Sequence, residues 1–186
     1  FDPALAGPGG PYIIQYIYTS ALGCADTAYT EIEVFPLPAV DLFAPSIACI
    51  EADPILLTGN PIGGVFTGEG VVDSFFMPSL AGTGAAAVTY SYTDGNGCAA
   101  SSIVYIDVVQ NMVDAGPDVT INIGDSALLY VVSDGSLIWS PATGLSCEDC
   151  ADPIASPLQT TTYLLTETDG NGCLATDLIT VTVEAS

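Results

Sequence analysis

The sequence predicts an all-β protein, built as tandem immunoglobulin-like antiparallel β-sandwich repeats. Three observations predict it. Short alternating runs rich in Val, Ile, Thr and Tyr recur along the chain, as strands with one buried face require. Gly (19 residues) and Pro (13 residues) break these runs at short intervals across 186 residues. A block of about 75 residues then repeats itself, the signature of an array rather than one large core.

The repeat is read from two stretches. FDPALAGPG at Phe1 matches FMPSLAGTG at Phe76, pairing Phe1/Phe76, Pro3/Pro78, Leu5/Leu80, Ala6/Ala81, Gly7/Gly82 and Gly9/Gly84. After a one-residue slip the match continues through Tyr16/Tyr90, Tyr18/Tyr92, Thr19/Thr93, Gly23/Gly97, Cys24/Cys98, Ile32/Ile106 and Val34/Val108. TDGNGC occurs at Thr93–Cys98 and again at Thr168–Cys173, each copy between two alternating runs. An alternating run, a Gly/Asn/Asp turn and a second alternating run predict a β-hairpin. Residues 1–36 therefore read as the C-terminal part of one repeat, 37–110 as a complete repeat and 111–186 as a second complete repeat of another subtype. A start in mid-repeat predicts that the chain is a piece of a longer protein.

Strands in the last repeat are predicted at 118–123, 126–132, 136–140, 153–156, 160–168 and 174–184. Strands at this spacing point to a sandwich of immunoglobulin type. Trp139, the single Trp, is expected to pack the centre. Tyr12, Tyr16, Tyr18, Tyr90 and Tyr92 lie in alternating strands and are expected to pack, whereas Phe75 and Phe76 are expected to be partly exposed.

Charge excludes several function classes. There are 22 acidic residues and no Lys, Arg or His, for a formal net charge of −22. No salt bridge between side chains can form. Phosphate neutralisation, and with it nucleic-acid binding, is excluded. Anionic membrane surfaces repel such a chain. Mean hydropathy is high at +0.52, but acidic residues, Gly or Pro interrupt every apolar run, so no membrane insertion is expected. No basic segment followed by an apolar one reads as a signal peptide, which places any export signal outside this sequence. Without His or Lys the usual general bases and amine nucleophiles are missing, and no pair of carboxylates stands out, so no catalytic residue is assigned.

Three groups of segments carry a family resemblance. Residues 37–110 contain Cys49, ILLTGNPIGGVFTGEGV, FFMPSLAGTG and VTYSYTDGNGC. Residues 111–186 contain DAGPDVTINIGDSALL, WSPATGLSCEDCADPIASP and TTTYLLTETDGNGC. These resemble the immunoglobulin-like and PKD-like repeats of very large Bacteroidetes cell-surface proteins. Many such proteins leave the cell by type IX secretion, and gliding-motility adhesins are among them. The resemblance implies an extracellular, cell-surface location. It also implies neighbouring repeats, surface glycans or other filament subunits as partners.

Cys49 and Cys98 are the only cysteines of the middle repeat, and a disulfide between them, bridging two sheets, is expected. Cys24 aligns with Cys98, so its partner is expected upstream of Phe1. Cys147 and Cys150, in CEDC, are expected to close a small loop. A redox motif or half a zinc site is disfavoured, because no cation or His stands by. Cys173 is left free or paired with one of these two. No cofactor is expected apart from calcium, for which Asp94, Asp169, Asp114 and Asp118 are the candidate ligands. Asn96, Asn171, Glu148, Asp149 and Asp152 supply further oxygens. For the two DGNG segments a tight turn competes with the calcium reading.

Two functions compete at this point. One is a stalk or filament segment of a secreted adhesin. The other is a module that recognises glycans or proteins through its loops.

Overall fold

The computed structural model describes residues 1–185. Its helices are two single turns, α1 (Pro3–Ala6) and α2 (Pro78–Ala81), and neither is long enough to cross a membrane. The rest is strand and loop. Strands β1 (Gly9–Thr19) and β2 (Ala25–Val34) form a hairpin on their own. Next come β3 (Asp41–Phe43), β4 (Ile47–Cys49), β5 (Ile55–Leu56), β6 (Thr58–Asn60), β7 (Val65–Gly68), β8 (Val71–Val72) and β9 (Phe75–Phe76). After α2 follow β10 (Gly84–Thr93) and β11 (Ala99–Val109). The last group is β12 (Val119–Asn122), β13 (Ala127–Leu128), β14 (Ser136–Ser140), β15 (Ile154–Ala155), β16 (Thr161–Thr168) and β17 (Leu174–Glu184).

Two separate cores result. In the first, the sheet β4-β11-β10-β7 turns Ala86, Val88, Tyr90, Ile106 and Val108 inward. Leu42, Leu57 and Phe76 from the shorter layers β3-β6 and β5-β9-β8 close over them. In the second, β12-β17-β16-β14 buries Ile121, Leu137, Trp139, Tyr163, Leu165, Ile179 and Val181, with β13-β15 opposite. Period-2 burial along β10 and β16 is the direct product of the alternating sequence. The protein is all-β and immunoglobulin-like, mostly antiparallel, with one parallel edge pair in each large sheet, β4 with β11 and β12 with β17.

Trp139 is 1% exposed, at the centre of its core as expected. The expectation for Phe76 is overturned. It is fully buried, because its strand β9 pairs with both β5 and β8 and lays the ring against the large sheet; its neighbour Phe75 points outward at 44% exposed.

The hairpin β1–β2 has the register of β10–β11 displaced by 74 residues, with Tyr16 opposite Ala28 as Tyr90 is opposite Ser102. What it lacks is an opposing layer. Tyr16 is 66% exposed where Tyr90 is 1%, and Phe1 is 58% exposed where Phe76 is 0%. Tyr16 and Tyr18 therefore do not pack as their alternation predicts.

Candidate functional site: a clamped junction between sandwiches

Cys49 ends β4, which runs parallel to the last residues of β11 and sets Cys49 opposite Val109. Cys98 precedes the first residue of the same β11. Eleven residues of strand, about 35 Å, therefore separate the two cysteines of this sandwich. A disulfide needs Cα atoms within about 7 Å. The expected Cys49–Cys98 bond is thus corrected: both cysteines belong to one repeat but stand at its opposite ends. Cys49 is bonded instead to Cys173, with Cα atoms 5.4 Å apart, and Cys98 and Cys24 are free thiols. Cys173 follows the β16–β17 turn, so the bond joins the far end of one sandwich to the turn end of the next.

The linker between the sandwiches is held by side chains as well. Asn111 donates from Nδ2 to the Cys173 carbonyl at 3.1 Å. Asp177 accepts from the Ala115 N–H at 2.8 Å through Oδ2, and Asp118 accepts from the Thr180 N–H at 2.8 Å through Oδ1. These bonds lay residues 111–118 along β17 and lead straight into the parallel β12–β17 pair. A cleft of about 660 Å³ opens beside the disulfide, lined by 49–52, 109–113 and 172–176. Glu51 is its single acidic side chain. Its lining is mixed, with apolar Ile50, Met112, Val113 and Leu174 beside polar Gln110, Asn111 and Thr176.

The candidate calcium ligands stand apart from one another. Asp94 Oδ1 accepts from the N–H groups of Asn96 and Cys98, and Asp169 Oδ1 from those of Asn171 and Cys173. Each caps its own hairpin turn, in different sandwiches. The N–H groups of Cys173 and Asn171 hold the Asp169 carboxyl below the usual carboxylate range. Asp114 Oδ1 accepts from Gly116 N–H, and Asp118 is bonded as above. Among the described residues no group of three or more acidic, Cys or His residues converges as a metal site.

Cys147 is bonded to Cys150. Their loop closes over the core Trp, whose Nε1 donates to the Cys150 carbonyl at 3.0 Å while its N–H donates to the Glu148 carbonyl. The segment is irregular loop, without a helix to lower a thiol pKa. The expectation that Cys173 is free or paired with Cys147 or Cys150 is corrected: those two are bonded to each other and Cys173 is bonded to Cys49 of the preceding sandwich. Sequence reading also passed over Glu167, 3% exposed, which accepts a hydrogen bond from the Ser133 hydroxyl; the signal was its place in phase with buried Tyr163 and Leu165 on the inward face of β16.

No protein-family model and no curated protein sequence matches the chain. Among solved structures, the chain is similar to the tandem Ig repeats of Dlar, at 11% identity and TM-score 0.35, over 79% of this chain and 98% of that one. It is similar to a Ca2+-stabilized adhesin with which an Antarctic bacterium binds ice, at 12% identity and TM-score 0.42, over 94% of this chain and 57% of that one. A third similar structure is a 1.5-MDa bacterial ice-binding adhesin, at 11% identity and TM-score 0.34, over 95% of this chain and 76% of that one.

Proposed function

We propose that the chain is a stalk or filament segment of a secreted cell-surface adhesin, in which immunoglobulin-like repeats are set end to end. On this reading residues 37–110 and 111–186 are complete repeats, and residues 1–36 close a further one. The observation that carries the reading is the Cys49–Cys173 bond between the far end of one sandwich and the turn end of the next. A staple at that place resists bending and separation of successive repeats, which reach and load-bearing require. Two hydrophobic cores, each closed within its own sandwich, support the same view, as does a net charge of −22 that repels neighbouring fibres. A disulfide-bonded chain also fits an oxidising exterior. We assign the segment to surface attachment or gliding, with type IX secretion as the export route. Having no Lys, Arg or His, it acts without catalysis, through neighbouring repeats and filament subunits.

Small-angle scattering tests the reading. An elongated particle, with two sandwich-sized bodies in line, is expected at physiological salt. A compact particle of near-spherical dimensions would replace the stalk with the competing module that recognises glycans or proteins through its loops.

A further inference from the structure

Three hairpin turns of this chain present a cysteine in one and the same way. The first residue of each turn donates its N–H to the cysteine carbonyl four residues on, and its carbonyl accepts from the glycine before the cysteine. The sets are Ser20, Gly23 and Cys24; Asp94, Gly97 and Cys98; and Asp169, Gly172 and Cys173. The cysteine N–H returns to the first side chain at 3.2, 2.9 and 2.8 Å respectively. Only Cys173 is bonded, to Cys49 of the sandwich before it; Cys24 and Cys98 are free. Cys98 cannot be served by its own sandwich, because Cys49 lies about 35 Å away at the other end of β11. Its turn occupies the end that a preceding repeat would meet, as the turn of Cys173 meets the end that carries Cys49.

We infer that Cys98 and Cys24 are the receiving halves of further inter-repeat staples. Each takes the thiol at the position equivalent to Cys49 on the immunoglobulin-like repeat immediately before its own. The inference rests on the end-to-end reading above. Each repeat in such a ladder hands one cysteine forward from its short parallel edge strand and receives one at its hairpin turn. The last sandwich receives at Cys173 but hands nothing on. Its parallel edge strand β12 sets Asn122 opposite Glu184, where β4 sets Cys49 opposite Val109. The ladder therefore has a direction and, in this chain, a terminal rung.

Bond formation is a two-electron oxidation. The Cys98 thiol and the incoming thiol each lose a hydrogen as the S–S bond forms, and a low-molecular-weight disulfide takes both hydrogens and is cleaved to two thiols. A thiolate attacks that disulfide, one small thiol leaves, and the second protein thiol displaces the other.

The experiment keeps the whole chain and inserts a second copy of residues 37–110 after Gln110, with folding in a glutathione-type redox buffer. Free thiols are counted in the native state. Cys49 of the first copy should bond Cys98 of the second, leaving Cys24 and the first-copy Cys98 free. Cys98→Ser in the second copy should then raise the count by one, and Cys98→Ser in the first copy should lower it by one. The opposite pattern means bonding inside one sandwich, and a fall for both substitutions means that neither Cys98 is bonded; either result overturns the inference. Should the duplicated chain not fold, non-reducing peptide mapping of the unaltered chain decides. Cys49 recovered with Cys173 beside alkylated Cys24 and Cys98 supports the ladder, and Cys49 recovered with Cys98 ends it. Scattering on the duplicated chain separates the two readings. A longer particle with the wrong thiol pattern fails the staple alone, whereas a compact particle fails the array.

Discussion

Most of the hydrogen-bonded carboxylates among the described residues are held by the backbone, since no cationic side chain exists to hold them. Asp2, Asp26, Asp94, Asp114, Asp118, Asp169 and Asp177 all accept from main-chain N–H groups. Each such bond is charge-assisted, yet it costs none of the side-chain entropy a Lys or Arg partner would lose. Asp169 shows the pH consequence. Its folded pKa lies below its ordinary value of 3.8, so its contribution is present in full above that value and is lost as pH falls through the folded pKa. Acid titration of the β16–β17 turn by NMR should show loosening below the ordinary carboxylate range, and Asp169→Asn should flatten that dependence. Glycines contribute by yielding space. Tyr90 donates to the Pro61 carbonyl at 2.5 Å and accepts from the Gly64 N–H at 2.8 Å, and a Cβ at Gly59 or Gly64 would run into its ring. Gly64→Ala should destabilise the first sandwich by about 1–3 kcal/mol, the usual cost of forcing extra volume into a packed core, read as a lower midpoint in denaturant.

Among the elements, hairpins divide by whether an opposing layer covers them. β10–β11 and β1–β2 share register, turn and the preceding helical turn, with Gly7 and Gly82 closing α1 and α2 at φ 75° and 76°. Only β10–β11 has β3, β6 and β9 across from it. An isolated hairpin is marginal in water, and the apolar side chains of β1 and β2 stay in contact with solvent. Amide hydrogen exchange should therefore be fast in β1–β2, near the limit of local fraying, and slow in β10–β11, at the limit set by opening of the whole sandwich. Equal protection in the two hairpins would show that β1–β2 has found a cover. Such a cover would carry the apolar pattern of residues 37–75, since those residues do this for β10–β11.

For the whole molecule, the junction decides what the repeats do together. Cys49–Cys173 and the bonds from Asn111, Asp118 and Asp177 constrain the linker from both sides. Cys49→Ser should leave both cores folded, since neither contains that bond, while broadening the distribution of inter-sandwich distances seen by scattering or by paired spin labels. Salt acts in the opposite sense to a salt-bridged protein. With 22 acidic residues and no side-chain cation, raising ionic strength relieves repulsion and removes no attraction. Thermal stability should rise from low to physiological monovalent salt, and a fall would contradict the charge argument.

Much of the fold was legible before any coordinates. Predicted strands at 136–140, 160–168 and 174–184 stand at Ser136–Ser140, Thr161–Thr168 and Leu174–Glu184, because alternation records which face is buried. The 126–132 strand is shorter, Ala127–Leu128; beyond it the chain bonds the Pro153 and Ala151 carbonyls irregularly. Local composition also determined the absence of side-chain ion pairs, the turns at DGNG and the place of Trp139. Tertiary structure alone decided the cysteine partners. Bond choice depends on which ends of the strands meet, and β4 lies parallel at the far end of β11, a fact about sheet order that no pattern within the repeat records. Exposure of β1–β2 was decided in the same way: Tyr16 and Tyr90 occupy matching strands, and only the layer across from them makes one solvent-facing and the other core.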